Sequence, residues 1–389
     1  MRRVAAGVVE VILLGAVVWI VMTGGPFASS PTPTPAPTGP SAPATPTPAD
    51  PTGAAGALVN GPTGVIGNLV GCAAGLPPGV TIGRSPASEA RGPAATLVAD
   101  YRFQGSLGPS TGTAPALSTT GPSTSGFVTE PFDGSGRRVL SFPAGGGLVL
   151  HPVGDVLPDG AYSIVMLFRL AQTRAFAKLV DFEDATSDDG LYSYAGCLNF
   201  YPAATGTMDV IGPNGWAQVV LTRGRSGVVV GYVNGIRQFS FTDEMGIAAL
   251  GDGATLRFFQ DDNVTAGEQA AGAVARIRLY AGALTGPEVE ALTCAELPSA
   301  ICGADGPNTL IGTPGDDVIL GLGGDDVIVG LEGTDLLAGG SGVDVLRGGE
   351  GPDRLTGGAD ADALDGGGGR DVCDVYPELD TFAACEALR

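Results

Sequence analysis

Seven aspartates recur every nine residues: Asp317, Asp326, Asp335, Asp344, Asp353, Asp362 and Asp371, with Asn308 in the same phase ahead of them. Carboxylates stacked in rows repel, by about 1 kcal/mol per neighbouring pair even in water. Such rows call for cations. Ca²⁺ suits them, because it takes roughly six to eight oxygens from carboxylates and backbone carbonyls. Carbonyls come in the same phase. All eight nine-residue blocks of residues 303–374 open on glycine, and the fourth position is glycine in seven, Asp360 being the exception. The turn carbonyls expected to join the aspartates belong to Gly312, Gly315, Gly321, Gly324, Gly330, Gly333, Gly339, Gly342, Gly348 and Gly351. Glycine allows the tight turns and positive φ such a site needs.

The elements that must hold these residues follow from position eight. It is apolar in every block: Leu310, Ile319, Ile328, Leu337, Leu346, Leu355, Leu364 and Cys373. Three residues around it form a very short strand with one side chain inward. Stacked turns then build two narrow parallel sheets around a seam one residue wide. A flexible Gly/Asp-rich tail is the competing reading, and the unbroken phase argues against it.

The blocks GTPGDDVIL, GLGGDDVIV and GGEGPDRLT resemble the calcium-binding nonapeptide repeat of RTX (hemolysin-type) proteins, G-G-x-G-x-D-x-U-x. The resemblance implies a parallel β-roll in which same-side turns, two blocks apart, share an ion. Carried over, the pairs are Asp317 with Asp335, Asp326 with Asp344, Asp335 with Asp353, Asp344 with Asp362, and Asp353 with Asp371. The block with Asn308 and the block with Asp360 depart from the pattern. Many RTX proteins leave by type I secretion on a C-terminal signal, whereas the export segment here is N-terminal, which favours a Sec-type route.

Residues 95–297 read as antiparallel β. Tyr162, Ile164, Met166, Phe168 and Leu170 alternate and give one apolar face. Asn234-Gly235 lies between two strand-like runs and is a strong hairpin signal. Thr285-Gly-Pro-Glu288 is a capping box for a short helix ending near Leu292. The order YSIVMLFRL, AKLVDF, Trp216, YVNG, RFFQDD and AGAVARIRLYAGALTGPEVEAL resembles the laminin-G-like jelly-roll of the concanavalin A-like lectin/glucanase superfamily. That implies two facing sheets that bind glycans or proteins, sometimes with calcium at the rim, or hydrolyse polysaccharides.

Hydrolysis needs two carboxylates flanking one bond, and the E-x-D-x-E run that glucanase members resemble is missing from the sequence. No catalytic residue is assigned, and the chain is expected not to be an enzyme. Asp181, Glu183, Asp188, Asp189, Asp261 and Asp262 could offer oxygens to a rim cation, or be solvated loop acids. Tyr192, Tyr194, Tyr201 and Trp216 could stack on sugar, although sandwich core is the favoured place for Trp216. His151 reads as a solvated loop residue, and Asn263-Val-Thr265 matches a glycosylation sequon.

The rest of the chain bounds the setting. Residues 4–22 are apolar except for Glu10 and follow Arg2 and Arg3, a cleaved export signal or a retained anchor. Residues 26–56, rich in Pro, Thr and Ala, read as an extended spacer. The six cysteines suit an oxidising compartment. The favoured pairs are Cys373 with Cys385 and Cys294 with Cys302, leaving Cys72 with Cys197; the alternative joins Cys72 to Cys294. A net charge of −21 argues against nucleic acid, and one histidine in 389 residues excludes multi-His zinc sites.

The expectation is therefore an all-β protein. A hydrophobic helix (1–25), a disordered Pro-rich linker (26–56) and an unassigned extension (57–94) precede an antiparallel jelly-roll sandwich (95–297) and a C-terminal parallel β-roll with a cap (298–389). Its cofactor would be Ca²⁺, several ions in the roll. Its place would be extracellular or on the bacterial surface, secreted or tethered. Its partner would be a glycan or an extracellular protein, with membrane contact only through the N-terminal segment. A glycan hydrolase and a structural spacer are the alternatives.

Overall fold

A computed structural model describes residues 94–121, 125–132, 134–157, 160–206, 210–251, 253–261, 268–376 and 379–388. The apolar segment, the linker, nearly all of the extension, Cys72, Asp262 and the sequon at Asn263 lie outside the described residues. Among the described residues the only helix is Gly286–Glu296, and it is neither long nor apolar enough to cross a membrane.

The first half is a sandwich of two antiparallel sheets. One runs, in spatial order, Ile236–Thr242, Val228–Val233, Ala217–Arg223, Tyr162–Leu170, Gly272–Ala281, Thr96–Tyr101 and Thr111–Gly112. Ser135–Phe142 also pairs with Gly272–Ala281, and Gly126–Phe132 pairs with Ser135–Phe142. The other sheet runs Ala204–Thr205, Cys197–Tyr201, Gly190–Tyr194, Ala177–Asp181, Leu256–Phe258, Gly147–Leu150 and Ser118–Thr120. Ile164, Met166 and Phe168 of the first meet Leu148, Leu179, Leu198 and Phe258 of the second in one buried core. Removing that apolar surface from water is the main stabilising term.

The strand Tyr162–Leu170 departs from the expected one-sided pattern. Its opposite face is buried too, because Val165 packs against Val289 of the helix and Leu167 packs beside Leu297. The helix also runs past Leu292 to Glu296. Its last turn is held from outside: Thr293 Oγ1 donates to Gln218 Oε1 at 2.7 Å, and Cys294 is disulfide-bonded to Cys302. The capping box at Thr285 and Glu288 is present.

The second half is a parallel solenoid. One sheet stacks Ile301–Cys302, Val318–Leu320, Leu336–Ser341, Arg354–Ala359, Val372–Asp374 and Ala387–Leu388. The other stacks Thr309–Ile311, Val327–Glu332, Val345–Glu350, Ala363–Gly368 and Thr381–Ala383. Nearly every partner is 18 residues away, two blocks, as in Ile319 with Leu337 and Ile328 with Leu346. The position-eight side chains form the seam between the sheets.

The roll lies on the sandwich. At the hairpin tip, Asn234 and Gly235 both have positive φ, 50° and 89°, and a Cβ on Gly235 would press Leu320 at 3.0 Å. Ile236 packs with Leu320, Leu336 and Ala338 of the first roll sheet. Arg237 is ion-paired to Asp374, and the fully buried Arg354 lies 3.8 Å from the same carboxylate. In the second roll sheet the outward residues Ile311 and Val327 are exposed.

Candidate metal centre

Each roll turn places its position-six aspartate beneath the glycine that opens its own block. A Cβ added to Gly321 would overlap Oδ2 of Asp326 and the carbonyl oxygen of Gly339, the opening glycine of the next same-side turn. The same holds for Gly330 with Asp335 and Gly348, for Gly339 with Asp344 and Gly357, and for Gly348 with Asp353 and Gly366. A carboxylate oxygen and a carbonyl oxygen thus converge on a space only glycine leaves open. Gly324, Gly333, Gly342 and Gly351, at position four, have φ from 102° to 132°, as the tight turn requires. Gly315 does not share that conformation, and Asp360 adopts it with φ 77°.

The two oxygens of each aspartate differ. Oδ1 accepts the backbone N–H of the aspartate 18 residues earlier: Asp317 to Asp335 at 2.9 Å, Asp326 to Asp344 at 2.8 Å, Asp335 to Asp353 at 2.9 Å, Asp344 to Asp362 at 2.9 Å and Asp353 to Asp371 at 2.8 Å. These are the pairs the repeat implies. Asn308 donates its N–H to Asp326 in the same way, at 2.7 Å. Oδ2 of Asp326, Asp335, Asp344, Asp353, Asp362 and Asp371 is buried with no hydrogen-bond partner. Asp362 belongs to this row although its block carries Asp360.

At the N-terminal end the pattern closes. Thr313 donates both N–H and Oγ1–H to Asp317 Oδ2, at 2.5 and 3.0 Å, and Ala304 N–H donates to Asn308 Oδ1 at 2.6 Å. Burial, augmented by neighbouring carboxylates, pushes Asp335, Asp344 and Asp362 up to about 6 and Asp353 up to about 7, against a lowering backbone N–H bond. Asp326 and Asp371 are raised for the same first reason.

A buried acceptor left unpaired costs about 1–3 kcal/mol, more for a charged group. Six in a row, five of them beside a backbone carbonyl of the next same-side turn, fit a bound hard cation. The donors are all oxygen, which suits Ca²⁺ rather than a softer metal.

The ladder also extends past Asp374. Asp380 Oδ1 accepts the N–H of Asp362 at 3.0 Å, and its Oδ2 accepts that of Tyr376 at 2.6 Å. Glu386 Oε2 accepts the N–H of Asp371 at 2.5 Å. Asp380 was within reach of the spacing, since it stands nine residues after Asp371, with Phe382 nine after Cys373. Glu386 breaks the phase and left no such signal. Cys373 is bonded to Cys385 and Cys294 to Cys302, which excludes the alternative joining Cys72 to Cys294. Cys197 is also disulfide-bonded.

The sandwich acids are arranged differently. Asp181 and Lys178 are both fully buried, with Nζ 2.8 Å from Asp181 Oδ2. Lys178 also donates to the Ser187 carbonyl at 2.8 Å and lies 5.2 Å from the Tyr192 ring centroid. Its charge acts on Asp189, whose carboxyl is raised by burial and by Asp188 and Asp181. An ammonium thus sits among these acids. Glu183 is exposed, and Asp261 is buried, accepting the N–H of Glu268. Tyr192 is buried, Tyr194 stacks on Phe176 at 4.0 Å, and Tyr201 is half-buried. Trp216 is half-buried outside the inter-sheet core, edge-on to Phe132 at 5.3 Å. His151 is exposed, with Nδ1 3.0 Å from Thr255 Oγ1.

Residues 303–337 and 338–373 match the family model of the RTX calcium-binding nonapeptide repeat (4 copies). No curated protein matches the chain. Among solved structures, domain 4 of AbnA, a GH43 extracellular arabinanase from Geobacillus stearothermophilus in complex with arabinotriose, is 18% identical with a TM-score of 0.39. That match covers 51% of this chain and 99% of that one. A botulinum neurotoxin type C structure, whose subject is cell entry dependent on two ganglioside molecules, is 13% identical with a TM-score of 0.42, covering 54% of this chain and 53% of its own. The binding domain of botulinum neurotoxin DC in complex with rat synaptotagmin II is 12% identical with a TM-score of 0.41, covering 54% and 53%.

Proposed function

We propose that the chain is an extracellular calcium-binding protein of a bacterial surface, in which an ion-stabilised β-roll carries a jelly-roll recognition domain for a glycan or an extracellular protein. The row of six buried, unpartnered carboxylate oxygens carries the calcium half of this reading. Asp326, Asp335, Asp344, Asp353, Asp362 and Asp371 would hold the ions, the first four with the opening-glycine carbonyls of neighbouring turns. Bound calcium would neutralise the row and satisfy the bare oxygens. Without it, repulsion opposes the roll; with it, binding free energy becomes folding free energy. That suits export: the tract is destabilised where calcium is low and stabilised outside.

Recognition is favoured over hydrolysis by the sandwich acids. Asp181 is ion-paired to the buried Lys178, and Glu183 is exposed. Two experiments test the two halves. Far-UV circular dichroism and calorimetric titration of the whole chain with Ca²⁺, with Mg²⁺ as control, should show calcium-dependent β-structure and several ions per chain. A spectrum indifferent to calcium would remove the first half. An array of glycans and matrix proteins probed with the calcium-loaded chain tests the second, and silence across it would leave a structural spacer.

A further inference from the structure

We infer that Asp371, the last aspartate of the repeat tract, forms a calcium site with Ala384 and Glu386 of the tail beyond it, closed by the Cys373–Cys385 disulfide. The inference rests on the calcium reading of the roll. The last repeat block ends at Asp374, yet Asp371 is fully buried and its Oδ2 has no hydrogen-bond partner. In the inner turns that oxygen faces the carbonyl of a glycine opening the next same-side block, as Asp326 faces Gly339. Here the block is missing and the tail supplies the group. A Cβ added to Gly366 would meet Asp371 Oδ2 at 2.7 Å and overlap the carbonyl oxygen of Ala384. Ala384 stands 18 residues after Gly366, so the backbone carbonyl keeps the phase although the glycine is gone.

The carboxylate does not keep the phase. Inner aspartates receive an N–H from 18 residues back, whereas Glu386 receives that of Asp371 from 15 back. The longer side chain brings the charge to the position an aspartate holds elsewhere. Between the two new ligands lies Cys385, bonded to Cys373 two residues after Asp371. The N–H groups of Glu386 and Ala387 both donate to the Asp371 carbonyl at 3.1 Å, holding the same segment. Water completes the roughly six to eight oxygens that Ca²⁺ takes. The disulfide thus fixes both tail ligands against Asp371, which ties the affinity of this one site to the oxidised state.

The test counts bound Ca²⁺ per whole chain, by equilibrium dialysis and calorimetry, in the wild type, in Glu386→Gln and in a Cys373→Ala/Cys385→Ala variant. Gln keeps an acceptor for the Asp371 N–H and removes only the charge. Each variant is expected to lose one ion per chain, or to weaken one site at least tenfold, with circular dichroism at saturating calcium unchanged for Glu386→Gln. Adding Glu386→Gln to the cysteine variant should cost no second ion. Variants that keep the wild-type count and affinities overturn this site alone. A wild type that binds no calcium overturns the reading of the whole roll.

Discussion

At Asp353 burial pushes the carboxyl up to about 7, the N–H of Asp335 pulls it down, and the charges of Asp335 and Asp371 raise it again. In an unfolded chain the same group titrates near about 3.9. Between those values the folded, ion-free roll holds more protons than the unfolded chain. Its stability therefore falls as pH rises through that window and levels off above it. Asp335, Asp344 and Asp362, raised to about 6, act in the same direction. Thermal melts of the calcium-free protein are expected to give a higher Tm at pH 5 than at pH 7.5. Protons and calcium compete for the same oxygens, so affinity for Ca²⁺ should run oppositely, weakening as pH falls from 7.5 to 5. A calcium-free Tm that rises with pH would show that the row is not strained by its charges. The substitution Asp353→Asn separates charge from shape. It keeps an acceptor for the Asp335 N–H, so the ion-free Tm should hold or rise, while calorimetry finds at least one ion fewer.

Among the turns, position one and position four demand glycine for different reasons. At Gly339 the demand is space: a methyl group would overlap Asp344 Oδ2 and the Gly357 carbonyl. Gly339→Ala should cost about 1–3 kcal/mol, the usual scale of overpacking, and remove an ion from the titration. Gly315 meets only Thr313 Oγ1, at 3.8 Å, and has no positive φ to protect. Gly315→Ala should stay within about 0.5 kcal/mol in chemical denaturation, the range of a bland surface change. The repeat was legible because its chemistry is periodic: Asp317 to Asp371, the opening glycines and the seam from Leu310 to Cys373 all stand in one phase. The hairpin at Asn234-Gly235 was legible for a local reason, two adjacent residues that tolerate positive φ. What could not be read is which roll sheet is covered. Val318 and Leu320 lie against the sandwich while Ile311 and Val327 face solvent, although all belong to equivalent strand positions. Only what lies opposite, Ile236 and its neighbours, makes them different. The second buried face of Tyr162–Leu170 escaped for the same reason, since its cover comes from Val289 and Leu297, more than a hundred residues on.

For the whole molecule, the consequence is that roll and sandwich are not independent beads. Asp374, nearly buried, serves both Arg237 of the sandwich and Arg354 of the roll. Asp374→Ala would remove the carboxylate that Arg237 and Arg354 share at this boundary. Breaking such a pair costs about 3 kcal/mol, readable as a fall in Tm that Arg237→Ala alone should only partly reproduce. The apolar part of the boundary, Ile236 against Leu320, Leu336 and Ala338, has no titrating group and should persist across pH. Calcium taken up by the roll must then stabilise more than the roll. Each ion held at a hundred times its Kd adds about 2.7 kcal/mol to the folded state, and the boundary shares that gain with the sheet beneath. Trp216 is placed to report it, packed with Phe132 in a cluster that includes Leu297 and Val318. In a Trp19→Phe background, Trp216 is the one remaining tryptophan. Its emission is expected to shift to shorter wavelength as calcium is added, along the same titration curve as the β-signal of the roll, and its thermal transition should rise with it. If the roll folds on calcium while Trp216 emission and its transition stay where they were, the two halves fold separately and the boundary carries no coupling.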